Sequence, residues 1–215
     1  MRSYGIWLLP ALCLAAGCNT LYFGAMEKFG IHKRDLFVER VKEARDTQAE
    51  TKQQFVTAME QFKSVVHFQG GVLEKEYNTL NVTLKRSEAG ADDVRKRIRS
   101  VEEVSQALFN EWRDEIKQYA SDTLRAASQR QLDSTRAKYT QLIAAMKQAE
   151  AKLDPVLTPL RDQVLFMKHN LNARAISALD GELGAIQSNV DRLVRDMESA
   201  IAEADAFIAS LQQVP

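Results

Sequence analysis

From residue 33 onward, apolar residues recur in alternating steps of three and four. That spacing keeps one stripe of an α-helix turned toward a partner helix along its whole length. The clearest stripe runs Ile176, Leu179, Leu183, Ile186, Val190, Leu193, Met197, Ala200, Ala204, Phe207 and Leu211. A second runs from Leu73 through Tyr77, Leu80, Leu84, Ser87, Ala91, Val94, Ile98, Val101, Ser105 and Leu108 to Trp112. A third runs from Leu132 through Thr135, Tyr139, Leu142, Met146, Ala149, Leu153, Val156, Leu160 and Val164 to Met167. The first in chain order is shorter and more polar: Phe37, Val41, Ala44, Gln48, Thr51, Phe55, Ala58, Phe62 and Val65.

The stripes break where glycines cluster or the phase slips. Gln69-Gly70-Gly71 ends the first, because paired glycines terminate a helix and start a turn at little cost. Near Ser121-Asp122 the register is lost, and both residues are good helix N-caps. Around His169-Asn170-Leu171-Asn172 a step of five replaces the usual three or four. These breaks lie about fifty residues apart, so the arms have matched lengths of roughly 60 to 75 Å at helical rise. Matched arms joined by short turns pack antiparallel. The sequence therefore predicts an all-α, elongated, antiparallel up-down four-helix bundle, with helices at about 33–68, 72–120, 123–169 and 173–211 in a domain spanning 33–213. A single helix over 72–169 is the alternative. Asp154-Pro155 could open a new helix, but the stripe stays in phase through Pro155 and Pro159, which favours a kink. Bends are expected at Gly90, Pro155, Pro159, Gly181 and Gly184.

Composition agrees. Nine Gly and four Pro in 215 residues are too few for a many-stranded β fold. A hydrophobic fraction of 45% supplies a core and argues against disorder. Twenty-nine Lys and Arg balance twenty-nine Asp and Glu, so no global basic excess points to nucleic acid.

The chain opens with an address. Arg2 precedes an apolar run from Ile6 to Ala16, too short to cross a bilayer, and Ala15-Ala16-Gly17 are small residues before Cys18. The sequence LAAGC resembles a bacterial lipobox. The resemblance implies that residues 1–17 are a signal peptide removed before Cys18, whose thiol carries the lipid, and that 18–32 form a tether. Cys13, after Pro10-Ala11-Leu12, fits the cleavage site poorly. An ordinary secretory signal, leaving Cys18 a free thiol, and an uncleaved anchor are the alternatives. Lipoproteins held at the inner membrane characteristically carry Asp after the cysteine. Asn19 therefore favours the outer membrane, with the chain facing the periplasm. Cleavage would remove Arg2 and no acid, taking the formal charge from zero to −1, and would leave no cysteine except the lipidated one.

Two stretches, YFGAMEKFGIHKRDLFVERVKEAR from Tyr22 to Arg45 and DQVLFMKHNLNARAISALDGELGAIQSNVDRLVRDMESAIAEADAF from Asp162 to Phe207, resemble the bacterial family DUF2959. So do ALFNEW at 107–112 and RDQVLFMKHNLNARAI at 161–176. The resemblance implies a small Gram-negative envelope protein, often with a lipoprotein-like signal, in a family without an established activity. Some similar sequences carry the label of a DNA-repair ATPase. This chain has no GxxxxGK[ST] phosphate loop to support that label.

Three clusters are candidates for function. An up-down topology places the turns near 70 and 170 at the same end, distal to Cys18. His67 would then lie near Lys168, His169, Asn170 and Asn172 in a polar recognition tip. The plain alternative is helix capping, and two histidines without nearby cysteines make a poor zinc site. At the other end, His32, Lys33 and Arg34 could meet lipid phosphates, or simply start a solvated helix. Arg95, Lys96, Arg97 and Arg99 surround the stripe residue Ile98 and read mainly as a solvated face, bracketed by acids. No HExxH, GxSxG, paired ExxH or Cys/His nucleophile is present, so no enzyme and no cofactor is expected. The function expected is a structural or protein-interaction scaffold in the envelope, bound to the membrane through lipidated Cys18 and to an unidentified envelope protein, with no nucleic acid. A lipid-binding or membrane-shaping module and a small-ligand or metal-binding tip are the rivals. Polar stripe positions such as Gln48, Thr51, Ser87 and Ser105 could fix register within one chain or in a homo-oligomer.

Overall fold

The computed structural model describes residues 32–68, 70, 72–170 and 173–212. The stripes become helices α1 (Lys33–Val66), α2 (Leu73–Ile116), α3 (Asp122–Glu150), α4 (Leu153–His169) and α5 (Ala173–Gln212). No strand occurs among the described residues. α3 and α4 form one arm, so the fold is the expected all-α bundle of four antiparallel arms. α1 packs against α2 and α5, and the α3–α4 arm packs against the same two helices from the opposite side. α1 and the α3–α4 arm are therefore diagonal neighbours.

Burial follows the stripes. Phe37, Phe55 and Phe62 on α1, Leu80 and Ile98 on α2, Leu142 and Met146 on α3, and Leu193 and Met197 on α5 are buried in one continuous core. Near the N-terminal end of α1 the four arms meet in an aromatic cluster. The Phe37 ring lies 6.0 Å from Phe109, 5.8 Å from Tyr139 and 5.3 Å from Phe207, mostly edge to face. Phe109 and Tyr139 close the cluster at 5.5 Å, and the Arg136 guanidinium sits 5.3 Å from the Phe109 ring. Such pairs add about 0.5–1.5 kcal/mol each beyond their burial. Burial also holds the Tyr139 phenol above its ordinary range.

The third arm is interrupted and not merely bent. α3 ends at Glu150 and α4 begins at Leu153. Pro155 offers no N–H to the Ala151 carbonyl, and its ring crowds that oxygen, so the interruption falls one turn before the proline. Ala151 and Lys152 keep right-handed helical backbone angles. The stripe consequently stays in phase, with Met146, Ala149, Leu153 and Val156 all buried. Pro159 likewise cannot bond the Pro155 carbonyl. Asn189 Nδ2 on α5 donates to that oxygen at 3.3 Å.

The other expected bend positions, Gly90, Pro159, Gly181 and Gly184, all lie inside uninterrupted helices. Gly90 has a packing reason to be glycine. A Cβ there would come 2.3 Å from Gln54 Oε1 and 2.9 Å from Thr51 Oγ1, so the missing side chain lets α1 and α2 approach closely. A Cβ at Gly184 would meet nothing within 4 Å. We expect Gly90→Val to destabilise the fold by about 2 kcal/mol through overpacking. Gly184→Ala should instead stabilise it by about 0.5–1 kcal/mol through helix propensity. Thermal denaturation of both variants checks the contrast.

The polar stripe residues Gln48, Thr51, Ser87 and Ser105 are all buried inside the single chain. Ser87 Oγ donates to the carbonyls of Thr83 at 3.2 Å and Gln54 at 3.4 Å. Gln48 is 0% exposed, and neither its amide oxygen nor its nitrogen has a hydrogen-bond partner. A buried amide in that state costs about 1–3 kcal/mol. Gln48→Leu should therefore raise the urea midpoint with an unchanged slope, and an unchanged or lower midpoint would contradict this account.

Candidate functional site

The bundle has two chemically distinct ends. The distal end is closed by the connections after α1 and after α4. Gly70, at φ 145°, makes the first turn in a region that other residues rarely adopt. His67 caps α1 through its backbone, its N–H donating to the Lys63 carbonyl at 2.9 Å, and its side chain is exposed. His169 ends α4 with Lys168 beside it, both exposed. Asn170 caps α4, its N–H reaching the Met167 carbonyl at 3.0 Å and its Nδ2 the Phe166 carbonyl at 2.9 Å. Asn172 lies outside the described residues. His67 and His169 thus share an end of the bundle but close diagonally opposed helices. Among the described residues, no group of three or more His, Cys, Asp or Glu is placed to hold a metal ion.

The structure adds two residues to this end. Leu165 is 59% exposed and Phe166 43% exposed on the outward side of α4. Leu165 and His169 are spaced i and i+4, and Phe166 and His169 i and i+3, so the three share a helix face. Val72, 66% exposed, precedes α2, the helix that neighbours α4. The signal was present in the sequence. Val164-Leu165-Phe166-Met167 is an unbroken apolar run, and a core stripe of period 3.5 takes only Val164 and Met167 from it.

The proximal end gathers the start of α1, the end of α5 and the α2–α3 hairpin. His32 provides the carbonyl that accepts the first α1 bonds, from the Asp35 and Leu36 N–H groups. Lys33 does not point to solvent as a headgroup contact would: its Nζ meets Glu111 Oε1 at 2.7 Å, with its side chain 12% exposed. The Arg34 guanidinium donates to the Leu211 carbonyl, tying α1 to α5. Of the α2 cations, Arg95 pairs with Asp92 and Asp154, and Arg97 with Glu43. Lys147 pairs with Glu102 across α2 and α3, and that hydrogen bond raises the lysine above its usual range. Cys18 and the whole 1–31 segment lie outside the described residues. Because Lys33 is partly buried against Glu111, Lys33→Met should cost about 0.5–1 kcal/mol in urea denaturation.

Among the described residues no helix is long and apolar enough to cross a membrane. A comparison with curated proteins finds none that matches. The profile of the DUF2959 family, described as proteins of unknown function, matches residues 22–211. That match spans all five helices, and the chain belongs to the DUF2959 family.

Proposed function

We propose that this chain is a lipid-anchored envelope protein, a non-catalytic helical rod that presents its distal end to a protein partner. The observation that carries the reading is the exposed Leu165–Phe166 pair beside Lys168 and His169. Large apolar side chains ringed by polar ones are the usual make-up of a recognition patch. They sit at the end of the bundle opposite the start of α1, and so opposite the side from which Cys18 would tether the chain. The lipobox-like LAAGC sequence supports the anchor, and Asn19 supports the outer membrane. Laying the α2 basic cluster flat on anionic lipid has weaker support, because Arg95 and Arg97 are engaged with Asp92, Asp154 and Glu43.

A photo-crosslinking side chain placed at Leu165 or Phe166 in living cells should capture one protein repeatedly. The same group at Gln129, at the other end of the rod, should not. Leu165→Asp with Phe166→Asp should abolish partner capture from a reporter at Lys168 while leaving the melting temperature within a few degrees. Cys18→Ser should move the chain from the membrane to the soluble fraction. Absence of a recurrent adduct at the distal end would refute the interaction role. An unchanged membrane fraction in Cys18→Ser cells would refute the anchor.

A further inference from the structure

We propose that residues 22–31 dock on the inner face of the α2–α3 hairpin where it overhangs the proximal end of the bundle. The arms end unevenly there. The Lys33–Glu111 pair and the Arg34–Leu211 bond set the start of α1 and the end of α5 level with Glu111. α2 continues past that level to Ile116, and α3 starts at Asp122, well before Leu132, its first buried residue. The hairpin therefore projects by about ten residues of α3, or about 15 Å of helix.

That projection has no partner of its own among the described residues. Residues 122–127 are exposed on every side, with Leu124 at 57% and the preceding Tyr119 at 40%. At its foot a cavity of about 230 Å³ opens between Leu108, Trp112, Thr135 and Leu211. A two-helix ribbon with an apolar inner edge gains by being covered.

The chain that enters α1 starts at the foot of this overhang, because Arg34 itself lines the cavity. Counting back from the buried Leu36 in the α1 rhythm of three and four reaches Lys33, Phe29, Met26 and Tyr22. The stripe of α1 thus continues upstream in aromatic and apolar residues, with Phe23 beside it. Its ten or so residues at helical rise cover about 15 Å, the length of the overhang. The DUF2959 match also takes in this segment. Docked there, the segment completes the fourth corner of the bundle at its base. If Cys18 is the anchor, as proposed above, docking leaves only a few residues between lipid and bundle. The rod is then held at the bilayer by a short neck. The docking itself does not depend on acylation.

The test uses the chain beginning at residue 18 with Cys18→Ser, in the absence of lipid. Backbone amides of residues 122–131 should exchange at least about tenfold more slowly than in a variant carrying Phe23→Ser, Met26→Ser and Phe29→Ser. In the same background, Met26→Cys with Leu124→Cys should form an intramolecular disulfide under mild oxidation. Met26→Cys with Leu165→Cys should not. Equal exchange in both proteins would overturn the proposal. Protection that grows with protein concentration, with disulfides between chains, would replace the segment by a second copy. Protection that appears only with vesicles of phosphatidylethanolamine and phosphatidylglycerol would replace it by the bilayer. A Cys18→Ser chain that still sediments with membranes would count against the anchor and leave the docking result standing.

Discussion

The fold depends on an apolar stripe that four arms share, and the Phe37 cluster is where that sharing is most concentrated. Phe37 touches one aromatic ring from each of the other three arms. Helices of this length gain little from propensity alone, so their stability comes from burying one face against neighbours. A ring contacting all four arms fixes their relative register at one level. Ion pairs such as Lys33–Glu111, Arg45–Asp205 and Arg161–Glu88 then sit along the rims of the arms. Exposed pairs of that kind stabilise little and serve mainly to disfavour wrong registers.

Away from the aromatic level the core departs from ideal packing in a consistent region. Gln48, Thr51, Ser87 and Gly90 all lie on the facing sides of α1 and α2, toward the middle of the bundle. Gly90 and the small hydroxyl side chains bring the two backbones close, while the Gln48 amide weakens the same stretch. The Pro155 interruption falls on the arm diagonal to α1. Its consequences are contained because the backbone stays helical through Ala151 and Lys152, and because Asn189 satisfies the Pro155 carbonyl. A bundle can absorb a proline this way only where the stripe keeps its phase across the break.

Function concentrates at the ends because the sides are occupied by charged residues paired across or along the arms. The distal end offers apolar side chains on the outside of a helix. The proximal end offers an uneven termination, with two arms longer than the others. These are different kinds of surface. The first is convex and suited to a partner protein; the second is an unfilled corner of the bundle, suited to a short segment of matching length.

Much of this was legible in the residues. The three-and-four spacing named the core positions, and the stripe through Met146, Ala149, Leu153 and Val156 told that the third arm stays in phase. The placement of the glycine turn at Gly70 was equally direct, since few other residues tolerate its backbone angle. Gly90 was misread as a bend because a linear sequence shows a missing side chain but not what stands opposite it. Lys33 and Arg34 read as a basic patch because their partners, Glu111 and Leu211, are distant in the chain. The Leu165–Phe166 pair was visible as surplus apolar residues, yet its meaning needed the arm's orientation to show that they face outward.

The sequence by itself determined the helices, the stripe each would bury and the chain's membership of its family. It did so because periodicity is a local property, readable over one or two turns. Only the tertiary structure decided which cations are engaged, that His67 and His169 close diagonal helices, and that one hairpin overhangs the base. Those depend on the relative lengths and register of arms far apart in the chain, and register is set by long-range packing that no local pattern records.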